Sequence, residues 1–373
     1  MKHLVIDARW YGPEHTGIGR YTQNLIQNLV KIPHFFKHIR LTLLVSPQDE
    51  DRLRLELGNQ INYALTRITH YSLLDQIVTP INLYRLRADL VHFTHIDKPI
   101  LYFGQSLVTV HDLIKNFSLG PSTSTKNFFF YYFKQIGYFL VSHLTIKSNQ
   151  LIVPSNYWRS FLITHYHLSP QKITTTHEAV DPEFLKLRKS YVINHKSYLL
   201  YTGNLYPHKN LDVVLKALAK LPRVKLKIIS KTSVFLHRLQ RKVKKGGLEN
   251  QVEFLGFVPD QKFARLYRQA IAFVFPSLIE GFGLPPLEAM ALGCPVISSN
   301  SSCCPEIYGS AALYFNPQNS DDLVNQINIL RTNPKLRRQL ITTGYRQIRK
   351  YSWVKTANLT FSVYRHLLEI DKN

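Results

Sequence analysis

The chain is short of acid. Against 47 Lys and Arg it carries only 24 Asp and Glu, a formal charge of +23. A surface that basic attracts polyanions: nucleic acid, anionic lipid headgroups or phosphorylated substrates. No zinc-finger, RRM or basic-zipper signature accompanies the charge, so no specific nucleic-acid partner is expected. Sulfur is scarce as well. The three cysteines, Cys294, Cys303 and Cys304, are odd in number, two are adjacent, and no CxxC pair exists. That argues against a disulfide framework and a thiolate zinc site, and it fits a reducing cytoplasm. No stretch reaches the ~18 consecutive apolar residues of a membrane span. The opening run Leu4-Val5-Ile6 is broken by Asp7 and Arg9, too early for a secretory core, and reads as a buried first strand. Low-complexity tracts and short repeats are also missing. The expected location is the cytoplasm, including the inner face of the membrane.

What is present is a pattern. At 373 residues and 45% hydrophobic, the chain is globular and too long for one ordinary core, so two domains are expected. Short apolar runs alternate with helical stretches: Leu4–Ile6, Leu41–Val45, Leu90–Phe93, Leu107–Val110 and Leu151–Val153, then Tyr198–Tyr201, Leu226–Ile229, Val252–Leu255, Ala272–Phe275 and Val296–Ser298. Such alternation predicts an α/β protein with parallel sheets covered on both faces. A polar, basic stretch from Lys186 to Lys196 precedes the second series. The expected division is therefore 1–188 and 189–355, with 356–373 a terminal helix that packs back toward the first domain. The densest charge, nine Lys and Arg without an acid between Arg223 and Lys245, reads as a solvated helix face plus a sheet edge, with anionic membrane as the second reading.

In doubly wound sheets, ligands lie beyond the carboxyl ends of the strands, so the residues that follow each run carry the functional argument. After the first strand comes Gly12 to Tyr21, with Gly17, Gly19 and Arg20 opening a helix; free amides at a helix start favour anions, although a structural turn fits equally. After Leu107–Val110 comes His111-Asp112, a proton-handling imidazole on the ligand side or an incidental neighbour of a capping Asp112. After Tyr198–Tyr201 comes Gly203 to Leu211. Lys209 there stands in or beside a helix's first turn, where a cation opposes the dipole by roughly 0.3–1 kcal/mol unless an anion sits between. After Ala272–Phe275, Glu280 precedes Gly281-Phe282-Gly283-Leu284, then Pro285, Pro286 and Glu288. Prolines suit a first helical turn, and glycines beside it form a backbone cradle. Two carboxylates flanking that cradle suit hydroxyl pairs, as on a sugar ring and a ribose.

These segments, in this order and spacing, resemble the large retaining glycosyltransferase family called group 1 or family 4. Glu280 and Glu288 match its E-x7-E motif with an internal GFG turn. The likeness extends to Val153-Pro154-Ser155 and to Cys304-Pro305-Glu306-Ile307-Tyr308-Gly309. It implies a GT-B fold, two Rossmann-like doubly wound domains facing across a cleft. It also implies that Glu288 holds the ribose, that Glu280 holds the donor sugar beside the amides of Phe282, Gly283 and Leu284, and that Lys209 stabilises the departing diphosphate. By the same likeness the Gly17 loop approaches donor phosphate and acceptor, and His111 contacts the donor sugar. Two positions depart from the family. Asn204 and His208 stand where many relatives have a diphosphate-binding arginine, which shifts weight to Lys209, backbone amides or Arg20. Ala179 stands where many have glycine.

The implied activity is retaining transfer of a hexose from a nucleotide sugar to a glycan or lipid-linked acceptor. Mannose is slightly favoured, through the likeness of the Asp7–Tyr21 region to mannosyltransferases. No DxD-like motif occurs in a suitable loop, so no metal is expected. The rivals are a nucleotide-sugar-binding protein without turnover, a sugar-nucleotide epimerase or phosphorylase, and a two-carboxylate hydrolase that leaves Lys209 unexplained. The run Phe128 to Phe133, followed by Lys134, fits either a lipid interface or a buried helix.

Overall fold

The computed structural model describes residues 1–117, 128–187, 197–256 and 258–370; within them, the side chains of 128–131, 133, 134, 148, 260 and 261 are not described. The chain forms two compact units, the first of Met1–Leu113, Phe129–Glu178 and Ser352–Asn373, the second of Ile114–Phe128 and Ala179–Tyr351. The expected boundary at 188/189 and most of the aromatic run Phe128 to Phe133 lie outside what is described. The segment from Ser352 on, with the helix Trp353–Leu367, belongs to the first unit, where it packs along the helix Thr16–Leu29.

The first unit holds β1 (Lys2–Asp7), β2 (Ile39–Val45), β3 (Asn62–Leu65), β4 (Leu90–Phe93), β5 (Ser106–Thr109), β6 (Gln150–Val153) and β7 (Ile173–Thr175), in the order β3-β2-β1-β4-β5-β6-β7. The second holds β8 (Tyr198–Thr202), β9 (Lys225–Ile229), β10 (Val252–Phe254), β11 (Ala272–Phe275), β12 (Val296–Ser299) and β13 (Ala312–Phe315), in the order β10-β9-β8-β11-β12-β13. Every paired neighbour is parallel. Both orders are doubly wound and reverse direction once, between β1 and β4 and between β8 and β11. A crevice for ligands opens at such a reversal.

The central strands form because their apolar runs can be buried on both faces. All of β4, β5, β8, β11 and β12 is buried. Three strands escape the sequence pattern, and all are edges: β3 and β7 bound the first sheet and β13 the second. An edge needs burial on one side only, so β3 spells Asn-Tyr-Ala-Leu with exposed ends and β7 spells Ile-Thr-Thr. The basic block needs a correction. Its strand β9 lies one position inside the sheet, between β10 and β8, and is not an edge. Its helix, Val234–Lys245, buries Phe235, Leu236, Leu239 and Val243 and turns its cations outward, as a solvated face does.

Candidate active site

The second unit's reversal point is where its charged loops meet. β8 ends at Thr202, Gly203 turns with φ of 136°, and the chain passes through a single 3-10 turn, Pro207–Lys209. Asn210 then takes a left-handed conformation (φ 53°) before the helix Leu211–Ala219. Lys209 thus precedes the helix rather than sitting in its first turn. The Asn210 side-chain amide donates to the carbonyls of Pro276, at 3.2 Å, and Pro317, at 2.8 Å, joining the loops that follow β8, β11 and β13. The Leu278 amide donates to the His208 carbonyl at 2.8 Å. Those ties bring Lys209 Nζ to 2.7 Å from Glu280 Oε1, an ion pair with side chains only 15% and 9% exposed.

Glu280 is held from behind. Its amide donates to Ser302 Oγ at 3.0 Å, and Ser302 adopts a left-handed φ of 50° unusual for its type. Burial pushes the Cys303 thiol up, so it stays protonated and donates toward the carbonyls of Glu280 (3.3 Å) and Phe282 (3.5 Å). Tyr308 Oη donates to the Gly283 carbonyl at 2.8 Å. The helix Leu284–Ala291 starts at once. Gly283 is its left-handed N-cap (φ 86°), without a side-chain cap bond, and Pro285 and Pro286 follow in the first turn. Proline has no N–H, so the donors at this helix start narrow to Gly283 and Leu284. Neither amide has an acceptor among the described residues. Two buried orphan donors beside a lysine are a place for an anion. Glu288 lies one turn on from Leu284 and is buried. The sequence therefore pointed to Lys209, Glu280 and the glycine turn but missed Asn210, Ser302, Cys303 and Tyr308, which set their geometry.

His208 carries no positive charge near neutral pH. Burial, and then the charge of Lys209, pushes its imidazole down to about 4. In the first unit, burial and the neighbouring His111 push His92 down to about 3. Both values lie below the ordinary 6.5, so the unfolded chain takes up protons that the folded chain refuses. Stability from these groups is complete above about 6.5 and is lost as pH falls toward 4. The melting temperature should fall steadily from about pH 7 to pH 5, and His208→Asn should flatten that slope. An unchanged slope in the variant removes His208 from the account.

The first unit gathers the other expected residues. Gly17, Gly19 and Arg20 open the helix Thr16–Leu29, beyond β1. The two glycines differ. A Cβ on Gly19 would come within 1.9 Å of the Gly12 carbonyl oxygen, so that glycine is demanded by the loop's own packing, whereas Gly17 faces open space. His111 follows β5 and is fixed on both sides: Nδ1 lies 3.1 Å from Glu178 Oε1 and Nε2 3.1 Å from the Thr94 carbonyl. Both partners are acceptors, so each bond forms only when its nitrogen carries hydrogen. Tyr21 stands edge-on to the imidazole, with ring centroids 4.6 Å apart. Glu178 has no role of its own in the sequence reading, although it lies just past Thr176 and His177 after β7, on the side where ligands are sought. Among the described residues, His70, Asp75 and Asp97 have ligand atoms within 4.8 Å of one another. Arg9 already pairs with Asp75 at 2.6 Å and with Asp7 at 2.6 Å, which makes this group a buried charge network.

With this geometry in place, likeness to known proteins can be weighed. Residues 183–347 match the model of the family described as glycosyl transferases group 1. Over 239 residues the chain is 31% identical to O-antigen chain mannosyltransferase B of Escherichia coli, covering 60% of this chain and 63% of that one. Over 231 residues it is 29% identical to O-antigen chain mannosyltransferase RfbU of Salmonella typhimurium, covering 61% of each. The matches thus span less than two thirds of these relatives. Among solved structures, sucrose-phosphate synthase from Thermosynechococcus elongatus superimposes with a TM-score of 0.77 at 18% identity, over 99% of this chain and 100% of that one. That likeness shows the fold, GT-B with two Rossmann-like domains. Residues 183–347, in the second unit, are thus those of a group 1 glycosyltransferase domain.

Proposed function

We propose that this protein is a retaining, metal-independent hexosyltransferase that moves a sugar, mannose before others, from a nucleotide sugar to a glycan or lipid-linked acceptor in cell-surface polysaccharide synthesis. The observation that carries the reading is the Lys209–Glu280 pair beside the orphan amides of Gly283 and Leu284, at the reversal point of the second sheet. Mannose is supported by the relatives named as O-antigen chain mannosyltransferases.

In the proposed cycle the donor's diphosphate takes Lys209 from Glu280, and Glu280 turns to the sugar hydroxyls. Glu288 holds the ribose. As the bond from the sugar's anomeric carbon to the phosphate oxygen breaks, negative charge grows on the diphosphate. Lys209 and the preset amides stabilise it without reorganising. The acceptor oxygen bonds to the same face of that carbon, and its proton passes to the leaving phosphate oxygen. Positive charge from Lys209 and dipoles from the helix start supply what a metal would otherwise supply. His208, neutral, adds none, and Asn204 can offer only its amide. From the first unit, His111, Gly17, Gly19 and Arg20 keep the roles the family resemblance implies, His111 toward the sugar and the glycine loop toward phosphate and acceptor.

The test is a panel of nucleotide sugars carrying mannose, glucose, galactose or rhamnose, with and without a chelator. A mannose donor should give the largest thermal stabilisation. Turnover should survive chelation, and product NMR should show the donor's anomeric configuration kept. Tight donor binding with neither transfer nor slow donor hydrolysis would replace the enzyme with a binding protein. A changed sugar without acceptor would indicate an epimerase.

A further inference from the structure

The connection from β4 to β5 contains no helix: residues 94–105 run as irregular backbone to the amino end of β5. A crossover between parallel strands is ordinarily a helix that covers the sheet. Here the cover is incomplete. A cavity of about 490 Å³ remains between this connection, the helix Phe128–Ser148 and the amino ends of β5 and β6. All its lining residues belong to the first unit, and it lies at the end of β5 opposite His111.

The cavity is built around one cation. Lys98 is 5% exposed, and among the described residues its Nζ has neither a carboxylate nor a carbonyl partner. That nitrogen lies 6.0 Å from the Tyr102 ring centroid, the outer limit of a cation–π contact. Burial alone pushes the ammonium down to about 8. No acid and no second cation lines the cavity; Tyr102, pushed up to about 12 chiefly by burial, is the other titratable group there. Thr145 is the second unmet group. It is buried, and its Oγ1 has no hydrogen-bond partner. The surroundings are fixed: Gln105 Nε2 donates to the Leu367 carbonyl at 2.9 Å, and Asn149 Nδ2 to the Thr145 carbonyl at 2.7 Å.

A lysine held out of water without a partner costs folding stability, and so does an unmet buried hydroxyl. A ligand that accepts from both offsets both costs. The charge count selects its head group. One ammonium neutralises one carboxylate, whereas a phosphate monoester, at about −1.5 to −2, leaves charge uncompensated beside apolar lining residues such as Ile100 and Leu367. A carboxylate also has the lone pairs to accept from the ammonium and the Thr145 hydroxyl together. The lining selects the body. Tyr102 and Phe103 present rings, against which another ring packs well, and Phe103, 83% exposed, stands on the open side. The volume is that of a small-molecule site, for which about 300–1,000 Å³ is usual. We propose that this cavity is a second binding site, for a small ring-bearing monocarboxylate whose charge is met by Lys98 and Thr145.

The inference goes beyond the transfer reaction, and it is measured with neither donor nor acceptor, so its failure and that of the proposed activity are read separately. Calorimetry on the full chain with 3-phenylpropionate should show binding to the parent, and the uncharged 3-phenylpropionamide should bind roughly tenfold more weakly. Lys98→Met should lower the affinity for the acid by roughly tenfold or more. The same substitution should raise the melting temperature, because it removes a buried charge that has no partner. Thr145→Val keeps the side chain's shape and should weaken binding by about threefold to tenfold. Lys209→Ala should leave binding unchanged, which separates this cavity from the anion site of the second unit. Affinity should also fall as pH rises past about 8, where Lys98 loses its proton. Four results overturn the proposal: a parent that ignores 3-phenylpropionate at millimolar concentration, an amide that binds as well as the acid, phenyl phosphate bound more tightly than the acid, or binding that Lys98→Met keeps and Lys209→Ala abolishes.

Discussion

Lys209→Ala should lower turnover about 10²- to 10³-fold, the loss typical of removing one preset electrostatic stabiliser. The drop should fall mainly on kcat, because charge on the departing diphosphate is greatest in the transition state and smaller in the bound donor. The substitution also leaves Glu280, 9% exposed, without its cation, which should cost roughly 1–3 kcal/mol of folding stability. The two effects separate by temperature: turnover measured well below the melting transition reports the site alone. Lys209→Arg keeps the charge but changes its shape, and should recover part of kcat. Glu280→Gln keeps the shape and loses the charge. It frees Lys209 from its resting partner while weakening the grip on the sugar hydroxyls, so KM for the donor should rise along with a fall in kcat. Near-parental kcat in Lys209→Ala would falsify the assignment of this lysine to the leaving group.

Gly283→Ala should unfold the cradle from within. The residue sits at φ 86°, where a side chain costs about 1–2 kcal/mol. A Cβ built there would lie 2.0 Å from Tyr308 Oη and 3.3 Å from its ring carbon. The Tyr308 ring is fully buried and has little room to retreat. Backbone strain and overpacking together give an expected loss of about 2–5 kcal/mol. Donor binding should suffer with it, since the Gly283 and Leu284 amides lie at the displaced turn. Tyr308→Phe removes the nearest obstructing atom but also the hydrogen bond to the Gly283 carbonyl. Alone it should cost about 1 kcal/mol. In the double variant the losses should sum to less than additivity, because the hydroxyl that one substitution collides with is absent in the other. Urea melts of the four proteins measure that coupling. A Gly283→Ala protein as stable as the parent would show that the turn can relax.

The sequence resolved the parts of this molecule whose chemistry is out of place where it stands. Central strands such as β8 and β11 read clearly because burial on both faces leaves unbroken apolar runs. Lys209 and Glu280 stood out because a cation before a helix and a carboxylate between apolar neighbours both need an explanation. The partners that position them carried no such local signal. Asn210 and Ser302 look like ordinary loop residues, and their left-handed backbones and long-range bonds exist only once β8, β11, β12 and β13 are side by side. Glu178 reads as one more surface acid until β7 brings it to His111, 67 positions away in sequence. Edge strands β3, β7 and β13 were missed because one covered face demands little of a sequence.

The helix Trp353–Leu367 gives the molecule a schedule. His92, at the centre of the first sheet, makes a 2.6 Å bond from Nδ1 to Tyr364 Oη, and Trp353 stands edge-on to Tyr21 with centroids 5.9 Å apart. A ribosome makes His92 and Tyr21 early and Tyr364 last, with the whole second unit between them. At roughly 5–20 residues per second, that delay runs to tens of seconds. Through it the nascent first unit holds an uncovered groove along Thr16–Leu29 and a buried imidazole still missing its phenol, while the second unit has all its strands in hand. The half of the protein that is translated first is therefore the half that finishes second, and the interval is when a chaperone has most to hold.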